Sequence, residues 1–252
     1  MIGGKKVVAT IEGRMTSSRL PGKIMLPLAG KPVMAHMIER HRRSTLTDEV
    51  VVATTTNATD DAVVALCEKM NCTYFRGSEN DVFARVAQAA QKHGAEYLLQ
   101  GMADCPLVDH RHMDKCLELL ASTDADVVGN EYPVTFPLGF NVRAYKFSTF
   151  EKAEKKDTEP AYREHAGYSI RSQPEKFKVV NWEARGDMRW PELRLTLDTP
   201  EDYQLICAVY EELYQKNQDF SAEDVVSFLK TRPDLVAINS AVEQRVPIVE
   251  SS

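Results

Sequence analysis

The sequence predicts an α/β domain in which a mostly parallel sheet is covered by helices on both faces. Nearly continuous apolar runs such as Val7–Ile11 and Glu49–Thr54 are typical of strands that are buried on both sides. Segments such as Ala62–Met70 lie between such runs, and their apolar residues recur at helical spacing. Strands that alternate with helices favour a parallel sheet, because each return to the same edge needs a crossover connection.

The same patterns predict the remaining elements of the first half. Further strands are predicted at Thr73–Phe75, at Ala95–Met102 and from Asp126–Gly129 onward. Further helices are predicted at Asp81–His93 and His110–Leu120. Another helix begins at Pro32, since proline suits the first turn of a helix.

The segment of about residues 130–190 breaks this alternation, because Pro133 and Pro137 interrupt it. We interpret it as an inserted arm that covers the site as a lid or pairs with a second subunit. Its predicted elements are a strand at Phe140–Tyr145, helices at Phe147–Lys156 and Pro160–Gly167, and an extended stretch at Phe177–Asn181. After the arm, a core strand is predicted at Arg194–Leu197, followed by helices at Thr199–Tyr214 and Ala222–Thr231. This organisation predicts one domain, residues 1–240, and a C-terminal tail, residues 241–252.

The composition limits the classes of protein to which the chain can belong. With 252 residues, 43% of them hydrophobic, the chain is long enough to bury one full core. A net charge of −6 argues against a general nucleic-acid binder. Apolar runs stay short of the roughly 18 residues that a membrane helix needs. Five cysteines without a C-x-x-C pair, and no secretory stretch, indicate reduced thiols in the cytoplasm.

The connection after the first predicted strand is basic, although the chain as a whole is acidic. Its candidate phosphate ligands are Gly13, Arg14, Ser17, Arg19 and Lys23. Cations and hydroxyls suit the roughly four negative charges of a triphosphate, and glycine permits close backbone approach. A Walker A loop is excluded, because Ser17 stands where that motif needs glycine and Ile24 follows the lysine. The alternative is a solvated connecting loop.

Two aspartates are candidate ligands of a magnesium ion, which proteins hold with one or two carboxylates plus phosphates and waters. Asp104 follows the predicted strand Ala95–Met102, and ligands of parallel sheets bind beyond the carboxyl ends of the strands. Asp198 precedes Thr199, which can cap the next helix and leave Asp198 free to face the cleft. The alternative for Asp104 is a turn or cap residue. The two acids can meet only if Arg194–Leu197 lies near Ala95–Met102 in the sheet.

The pair Asp124-x-Asp126 is a rival metal motif, similar to that of many glycosyltransferases. It precedes a predicted strand, so it is expected at the opposite edge of the sheet. We therefore interpret it as a surface turn.

Seven motifs follow one another along the chain: Arg14–Lys23, Pro27–Pro32, Val51–Asn57, Arg76–Val82, Asp104–Asp109, Arg163–His165 and Leu195–Asp202. In this order they resemble the cytidylyltransferase superfamily, which activates acidic sugars such as sialic acids and 3-deoxy-octulosonate. The branch that they resemble most is the spore-coat polysaccharide biosynthesis protein F type. Together they span about residues 7 to 215.

The resemblance implies a Rossmann-like nucleotidyltransferase fold with a dimerisation arm, and hence a homodimer. It implies an enzyme of polysaccharide biosynthesis that uses CTP, Mg²⁺ and a small acidic sugar or related acceptor. From the net charge and the short apolar runs we expect neither nucleic acid nor a membrane as a partner. The residues that the resemblance implies as catalytic are Arg14, Lys23, Asp104 and Asp198. Of these, Arg14 and Lys23 bind phosphates, while Asp104 and Asp198 bind the metal.

The resemblance also places Ser78, Arg85 and Gln100 near the base pocket. The alternatives are that Ser78 only begins a helix and that Arg85 is a surface cation of a helix. Two further residues are candidates for the acceptor side of the site. Arg143 stands beside a departure from the branch, which often has Gly-Leu-Asp-Val where this chain has Gly139-Phe140-Asn141-Val142, and could bind an anionic acceptor. Its alternative is an exposed arm residue or a dimer salt bridge.

His165 is a candidate base for an acceptor hydroxyl, since the pKa of histidine lies near operating pH. Its alternative is a structural histidine of the arm. The branch often has glycine just before the metal aspartate, where this chain has Ala103. Two other functions stay open: a nucleotidyltransferase that uses another nucleoside triphosphate or a sugar 1-phosphate, and a non-catalytic nucleotide-binding regulator.

Overall fold

A computed structural model describes residues 1–244 of the protein. The strands are β1 (Val7–Glu12), β2 (Pro27–Leu28), β3 (Lys31–Pro32), β4 (Glu49–Thr55), β5 (Thr73–Gly77), β6 (Tyr97–Met102), β7 (Val127–Gly129), β8 (Arg143–Lys146) and β9 (Val179–Asn181). The α-helices are α1 (Val33–Arg42), α2 (Asp61–Lys69), α3 (Val82–Lys92), α4 (His110–Ser122), α5 (Phe147–Lys156), α6 (Pro160–Glu164), α7 (Tyr168–Arg171), α8 (Pro200–Leu213), α9 (Ala222–Lys230) and α10 (Pro233–Val236).

Seven of these strands form one twisted layer in the order β5-β4-β1-β6-β8-β7-β9. All neighbouring pairs are parallel except the two that involve β8, which runs antiparallel to both β6 and β7. Strand β1 lies at the centre of the parallel half, with Ile11 opposite Val52 of β4 and Gly101 of β6. The predicted fold class, a mostly parallel sheet with helices on both faces, is confirmed.

The two faces of the sheet follow from the alternation of side chains along each strand. Val7, Ala9 and Ile11 of β1 face a core that contains the apolar sides of α1, α2 and α4. Val8 faces a second core with α3, α5 and α7. A third core, between α8 and α9, packs beside the carboxyl end of the sheet. The central strands are therefore buried on both sides, which explains their continuous apolar sequence.

The segment of about residues 130–190, which we interpret as an inserted arm, contributes two strands to the main sheet. Strand β8 lies between β6 and β7, and β9 forms one edge. Helices α5 and α6 of the same segment pack against α3. The segment is thus an integral part of the domain, while its role as a lid or in dimerisation stays a prediction.

The predicted core strand at Arg194–Leu197 is wrong. These residues form an extended connection that touches Leu138 through a single bridge and belongs to neither sheet. The reason is packing, because Leu195 and Leu197 insert into the third core, beside α8 and α9, and not into a face of the sheet. Leu195 N–H still donates to the carbonyl of Leu138 at 2.7 Å.

The helix that follows begins as predicted. Thr199 is its N-cap and accepts from Asp202 N–H, while the Asp202 carboxylate accepts from Thr199 N–H, which completes a capping box. No helix within residues 1–244 has the length and apolar character needed to cross a bilayer. Most of the predicted C-terminal tail, residues 245–252, lies outside the described residues.

Candidate active site

The basic loop leaves the carboxyl end of β1 and enters a short 3₁₀ helix at Lys23–Met25. Strands β1 and β6 are parallel neighbours, so the loops after them meet at one edge. The loop after β1 packs closely against the loop after β6 at this edge. A Cβ atom added at Gly13 would lie only 2.8 Å from Cβ of Ala103. A glycine at position 13 is therefore required by the alanine that precedes Asp104.

Lys23 lies between the two predicted metal aspartates. Its Nζ is 2.8 Å from Oδ1 of Asp198 and 3.2 Å from Oδ2 of Asp104. Burial alone would lower the pKa of Lys23, but the charges of both carboxylates outweigh burial and raise it. The ammonium group is thus held in its charged form between two acids that are far apart in sequence.

Asp198 is surrounded by three cations. Arg19 lies 3.1 Å and Arg194 lies 2.8 Å from its Oδ2, in addition to the contact with Lys23. Burial would raise the pKa of this carboxyl, but the charges of Lys23, Arg19 and Arg194 together lower it. Asp202 in turn binds Arg194 Nε at 2.9 Å and accepts from the backbone N–H of Asp198. The carboxylate of Asp198 therefore stays ionised and fixed in place.

The donor set fits a divalent cation that prefers oxygen ligands. Asp104 and Asp198 already share one cation, and the side chain of Asp104 keeps 30% of its surface exposed. Within residues 1–244 no cluster of three or more histidine, cysteine, aspartate or glutamate side chains could hold a metal by itself. Two carboxylates with an open side match an ion whose other ligands come from phosphate and water.

Arg14 points away from these acids, toward the loop after β5. Its Nη1 donates to the carbonyl of Glu79 at 2.8 Å, and the Glu79 carboxylate accepts from Thr16 and Asn57. Ser17 lies half-buried in the same basic loop. Arg14 and Lys23 thus flank the loop on two sides, with Arg19 between them in sequence.

The three residues predicted near a base pocket lie on adjoining elements at this edge. Arg85 of α3 is buried and donates to the carbonyls of Ala53 and Ser78, so the alternative of a surface cation is wrong. The Oγ of Ser78 accepts from Asp81 N–H at 3.2 Å, although Asp81 itself is the N-cap of α3. Ser78 therefore supports the start of that helix without capping it.

Gln100 of β6 is buried and donates to Glu12 and to the carbonyl of Ala166. Its Oε1 is a buried acceptor that has no hydrogen-bond partner among residues 1–244. Burial raises the pKa of the neighbouring Glu12 carboxyl. The amide oxygen of Gln100 therefore keeps the capacity to accept a hydrogen bond.

Arg143 is buried, so the alternative of an exposed arm residue is wrong. It pairs opposite Gln100 in the sheet, and its guanidinium binds both carboxylate oxygens of Glu131. Arg171 Nε lies 3.2 Å from the same carboxylate. The sequence indicated neither Glu131 nor Arg171, because neither stands at a helical or strand spacing from Arg143 that would predict the contact.

His165 is half-buried in the turn after α6. Burial lowers the pKa of its imidazole, and the charges of Arg171 and Arg143 lower it further, whereas Glu164 opposes them. The ring is therefore neutral near pH 7. Asp124, the rival metal ligand, pairs with Lys146 at the far edge of the sheet and takes no part in this site.

The sheet gathers cations and carboxylates beyond the carboxyl ends of its central strands, which is where ligands of parallel sheets bind. Comparison with known proteins identifies the class of protein. The chain belongs to the cytidylyltransferase family, whose model matches residues 8–227, and it is therefore a nucleotidyltransferase.

Individual relatives agree with this assignment. The chain is 30% identical over 233 residues to the spore coat polysaccharide biosynthesis protein SpsF of Bacillus subtilis, covering 90% of this chain and 95% of that protein. It is 34% identical over 123 residues to the 3-deoxy-manno-octulosonate cytidylyltransferase of Geobacter sulfurreducens, about half of each chain. The solved structure of a cytidylyltransferase from Leptospira borgpetersenii superposes with a TM-score of 0.86 at 30% identity, over 92% of this chain and 97% of that one.

Proposed function

We propose that the protein transfers CMP from CTP to an acidic sugar or related acceptor, with release of pyrophosphate and with Mg²⁺ as cofactor. The observation that carries the proposal is the contact of Lys23 with both Asp104 and Asp198. It joins the basic loop to two carboxylates in one place, which is where a metal–triphosphate complex would need both. The reaction belongs to the synthesis of a surface polysaccharide or glycan, as the similarity to the spore coat protein suggests.

The basic loop would hold the leaving group. Arg14, Arg19 and Lys23 would pair with the β- and γ-phosphates, since hydrogen bonds from cations to phosphate are strong and Arg can bind it with two parallel bonds. Lys23 and Arg19 already contact carboxylates, so each is oriented toward the centre of the site. Ser17 and the backbone at Gly13 would complete the phosphate site.

The base would lie against α3 and β6. Gln100 Oε1, a buried acceptor, would accept from the exocyclic amino group of cytosine. Arg85 and Ser78 would border the same pocket, because Arg85 connects the end of β4 to the Ser78 loop. Uracil carries an oxygen in place of the amino group, so this pocket would favour CTP.

The chemical step is an in-line attack of an acceptor hydroxyl on the α-phosphorus. The protein would position the reactants and stabilise the developing charge. His165, whose pKa is lowered by burial, would accept the hydroxyl proton because its imidazole is neutral at the working pH. Asp104 and Asp198 would hold the Mg²⁺ ion, which supplies charge neutralisation at the phosphates.

The acceptor side favours an anion. Arg143 and Arg171 face one carboxylate, Glu131, so this group carries one positive charge in excess. Burial also raises the pKa of Glu12, which reduces the negative charge that it adds nearby. An acceptor with a carboxylate would balance the arginines, and 3-deoxy-manno-octulosonate, named for one relative, is an acid of this kind.

A panel of nucleotides and acceptors tests the proposal. Pyrophosphate release would be measured with CTP, UTP, ATP and GTP, each with a nonulosonic acid, an octulosonic acid, a sugar 1-phosphate or a neutral hexose, with and without Mg²⁺. We expect release only with CTP, Mg²⁺ and an acidic sugar. Release with a sugar 1-phosphate alone, or with another nucleotide at the same rate, would overturn the assigned substrates.

A further inference from the structure

Asp60 is a buried aspartate just ahead of α2. Its side chain is fully inaccessible. Oδ2 accepts from Thr54 Oγ1 at 2.9 Å, from Thr55 N–H at 3.0 Å and from Thr55 Oγ1 at 2.5 Å. Oδ1 accepts from the backbone N–H of Met15 at 2.8 Å. Three of these donors lie at the end of β4, whereas the fourth belongs to the basic loop.

The bond to Met15 anchors the loop at its base. The carbonyl of Met15 accepts from Gly22 N–H at 2.9 Å, which closes the loop between these two residues. Gly22 has a φ of +72°, a left-handed conformation that glycine adopts without strain. One residue, Met15, therefore binds the carboxylate through its N–H and closes the loop through its carbonyl oxygen.

The three cations of the basic loop lie next to or between Met15 and Gly22, the two residues that close it. Arg14 immediately precedes Met15, Lys23 immediately follows Gly22, and Arg19 lies within the closed loop. A shift of the Met15 peptide would therefore move Arg14 and Lys23 relative to each other. Cations that are not held in position lose side-chain and backbone entropy on binding phosphate, and this loss weakens the complex.

We propose that Asp60 is a positioning residue that holds the basic loop in the shape that binds the β- and γ-phosphates. The inference rests on the proposed function, since it assigns a supporting residue to the same phosphate site. It is specific to a carboxylate. An asparagine has one acceptor oxygen, so its NH₂ group would face either Met15 N–H or Thr55 N–H, and neither can accept a hydrogen bond.

The test compares Asp60→Asn with Asp114→Asn. Asp114 is the matched control because its carboxylate also accepts from two hydroxyls and two backbone N–H groups, those of Ser44, Thr45 and Leu46, in a loop that is not part of the phosphate site. Steady-state kinetics would give kcat and KM for CTP. Inhibition constants would be measured for pyrophosphate and for CMP, which keeps the base but lacks the β- and γ-phosphates.

For Asp60→Asn we expect KM for CTP and the inhibition constant of pyrophosphate to rise about tenfold, while the constant for CMP stays within about twofold. Asp114→Asn should change none of them. Equal weakening of CMP and pyrophosphate, the same pattern in Asp114→Asn, or no change in Asp60→Asn would each overturn the proposal. If Asp60→Asn does not fold, Thr54→Val removes one hydrogen bond to Oδ2 of Asp60 at nearly constant volume. The inhibition constant of pyrophosphate should then rise selectively, as for Asp60→Asn, but by a smaller factor.

Failure of this inference is distinguishable from failure of the proposed function. If the wild-type protein releases no pyrophosphate from CTP or any other nucleotide, the proposed function is wrong. Binding of inorganic triphosphate to the wild type, Asp60→Asn and Asp114→Asn, measured by calorimetry, would then still decide the role of Asp60. Equal affinity of all three would overturn it.

Discussion

The backbone N–H of Leu197 donates a hydrogen bond of 2.7 Å to the carbonyl oxygen of Asp104. This single bond joins the connection before α8 to the turn after β6. The next residue along the chain, Asp198, is thereby placed so that its carboxylate shares the ammonium group of Lys23 with that of Asp104. Two acids that are far apart in sequence meet at one cation.

Replacement of Lys23 by alanine is expected to weaken CTP binding. The variant would lose the proposed charged hydrogen bond to phosphate, so KM for CTP should rise about tenfold to a hundredfold. Lys31→Ala is the matched control, because Lys31 pairs with Glu39 on an exposed part of the chain outside the site. Steady-state kinetics at several ionic strengths measure both. An equal rise in KM for the two variants would show that Lys23 acts only through net charge.

Replacement of Asp104 by asparagine is expected to remove turnover while the fold is preserved. Asparagine keeps the shape of the side chain but lacks the charge that the proposed metal site needs, and loss of one such electrostatic group lowers kcat by about 10²–10³-fold. Thermal unfolding should show a similar midpoint, because 30% of the Asp104 side chain is exposed.

Asp124→Asn is the control for Asp104→Asn. Asp124 has 75% of its side chain exposed and lies at the opposite edge of the sheet, so its turnover should equal that of the wild type. Pyrophosphate release at a normal rate by Asp104→Asn over a range of Mg²⁺ concentrations would contradict the metal role.

Replacement of Glu131 by alanine is expected to destabilise the protein. The variant leaves the buried guanidinium of Arg143 without its partner, and removal of one member of a buried ion pair costs about 3–5 kcal/mol. Urea unfolding measures the difference. Glu183→Ala, which breaks an exposed pair with Arg189, should cost less than about 1 kcal/mol. Similar costs for both variants would show that Arg143 finds another partner.

Protonation of His41 is expected to lower stability in mild acid. Burial lowers the pKa of its imidazole from the ordinary 6.5 to about 4. Between these values the unfolded chain binds a proton at this residue and the native protein does not. The free energy of unfolding therefore falls as the pH decreases through this window, by about 1.4 kcal/mol per pH unit from this group.

Urea unfolding of the wild type and of His41→Gln between pH 7 and pH 4 tests this prediction. The slope of the free energy of unfolding against pH should be smaller in His41→Gln by about 1.4 kcal/mol per pH unit, which corresponds to one bound proton. The comparison cancels the contribution of His36 and His112, whose pKa values burial also lowers. Parallel curves for the two proteins would show that His41 is protonated equally in the native and unfolded states.

Much of the fold could be predicted because the central strands are buried on both faces. Strands β1, β4 and β6 are near-continuous apolar runs, and such runs are typical of parallel strands that are buried on both faces. The carboxyl ends of parallel strands share an edge, so the meeting of the loop after β1 with Asp104 followed from the strand order. Capping of α8 by Thr199 was equally local and equally predictable.

Other features depend on pairs that sequence patterns do not connect. The sequence predicts that Asp198 reaches Asp104 through a core strand at Arg194–Leu197, whereas these residues lie outside the sheet and Leu197 N–H bonds directly to the carbonyl of Asp104. Arg143 lies in the segment that the sequence predicts to be an arm, yet its strand, β8, lies inside the main sheet. The charge of the Arg143 guanidinium is paired with the carboxylate of Glu131. Burial of such a cation can be predicted only when the carboxylate that pairs with it is known.

The sequence by itself determined the alternation of strands and helices, the edge of the sheet at which the candidate site lies, and the basic character of the loop at that edge. These depend on apolar periodicity and on residues within one turn or one loop. Only the tertiary structure decided which charges face each other: Lys23 with two acids, Arg143 with Glu131, and Asp60 with the N–H of Met15. The physical reason is that hydrogen bonds and ion pairs act over about 3 Å, and packing of the whole chain sets which distant groups come that close.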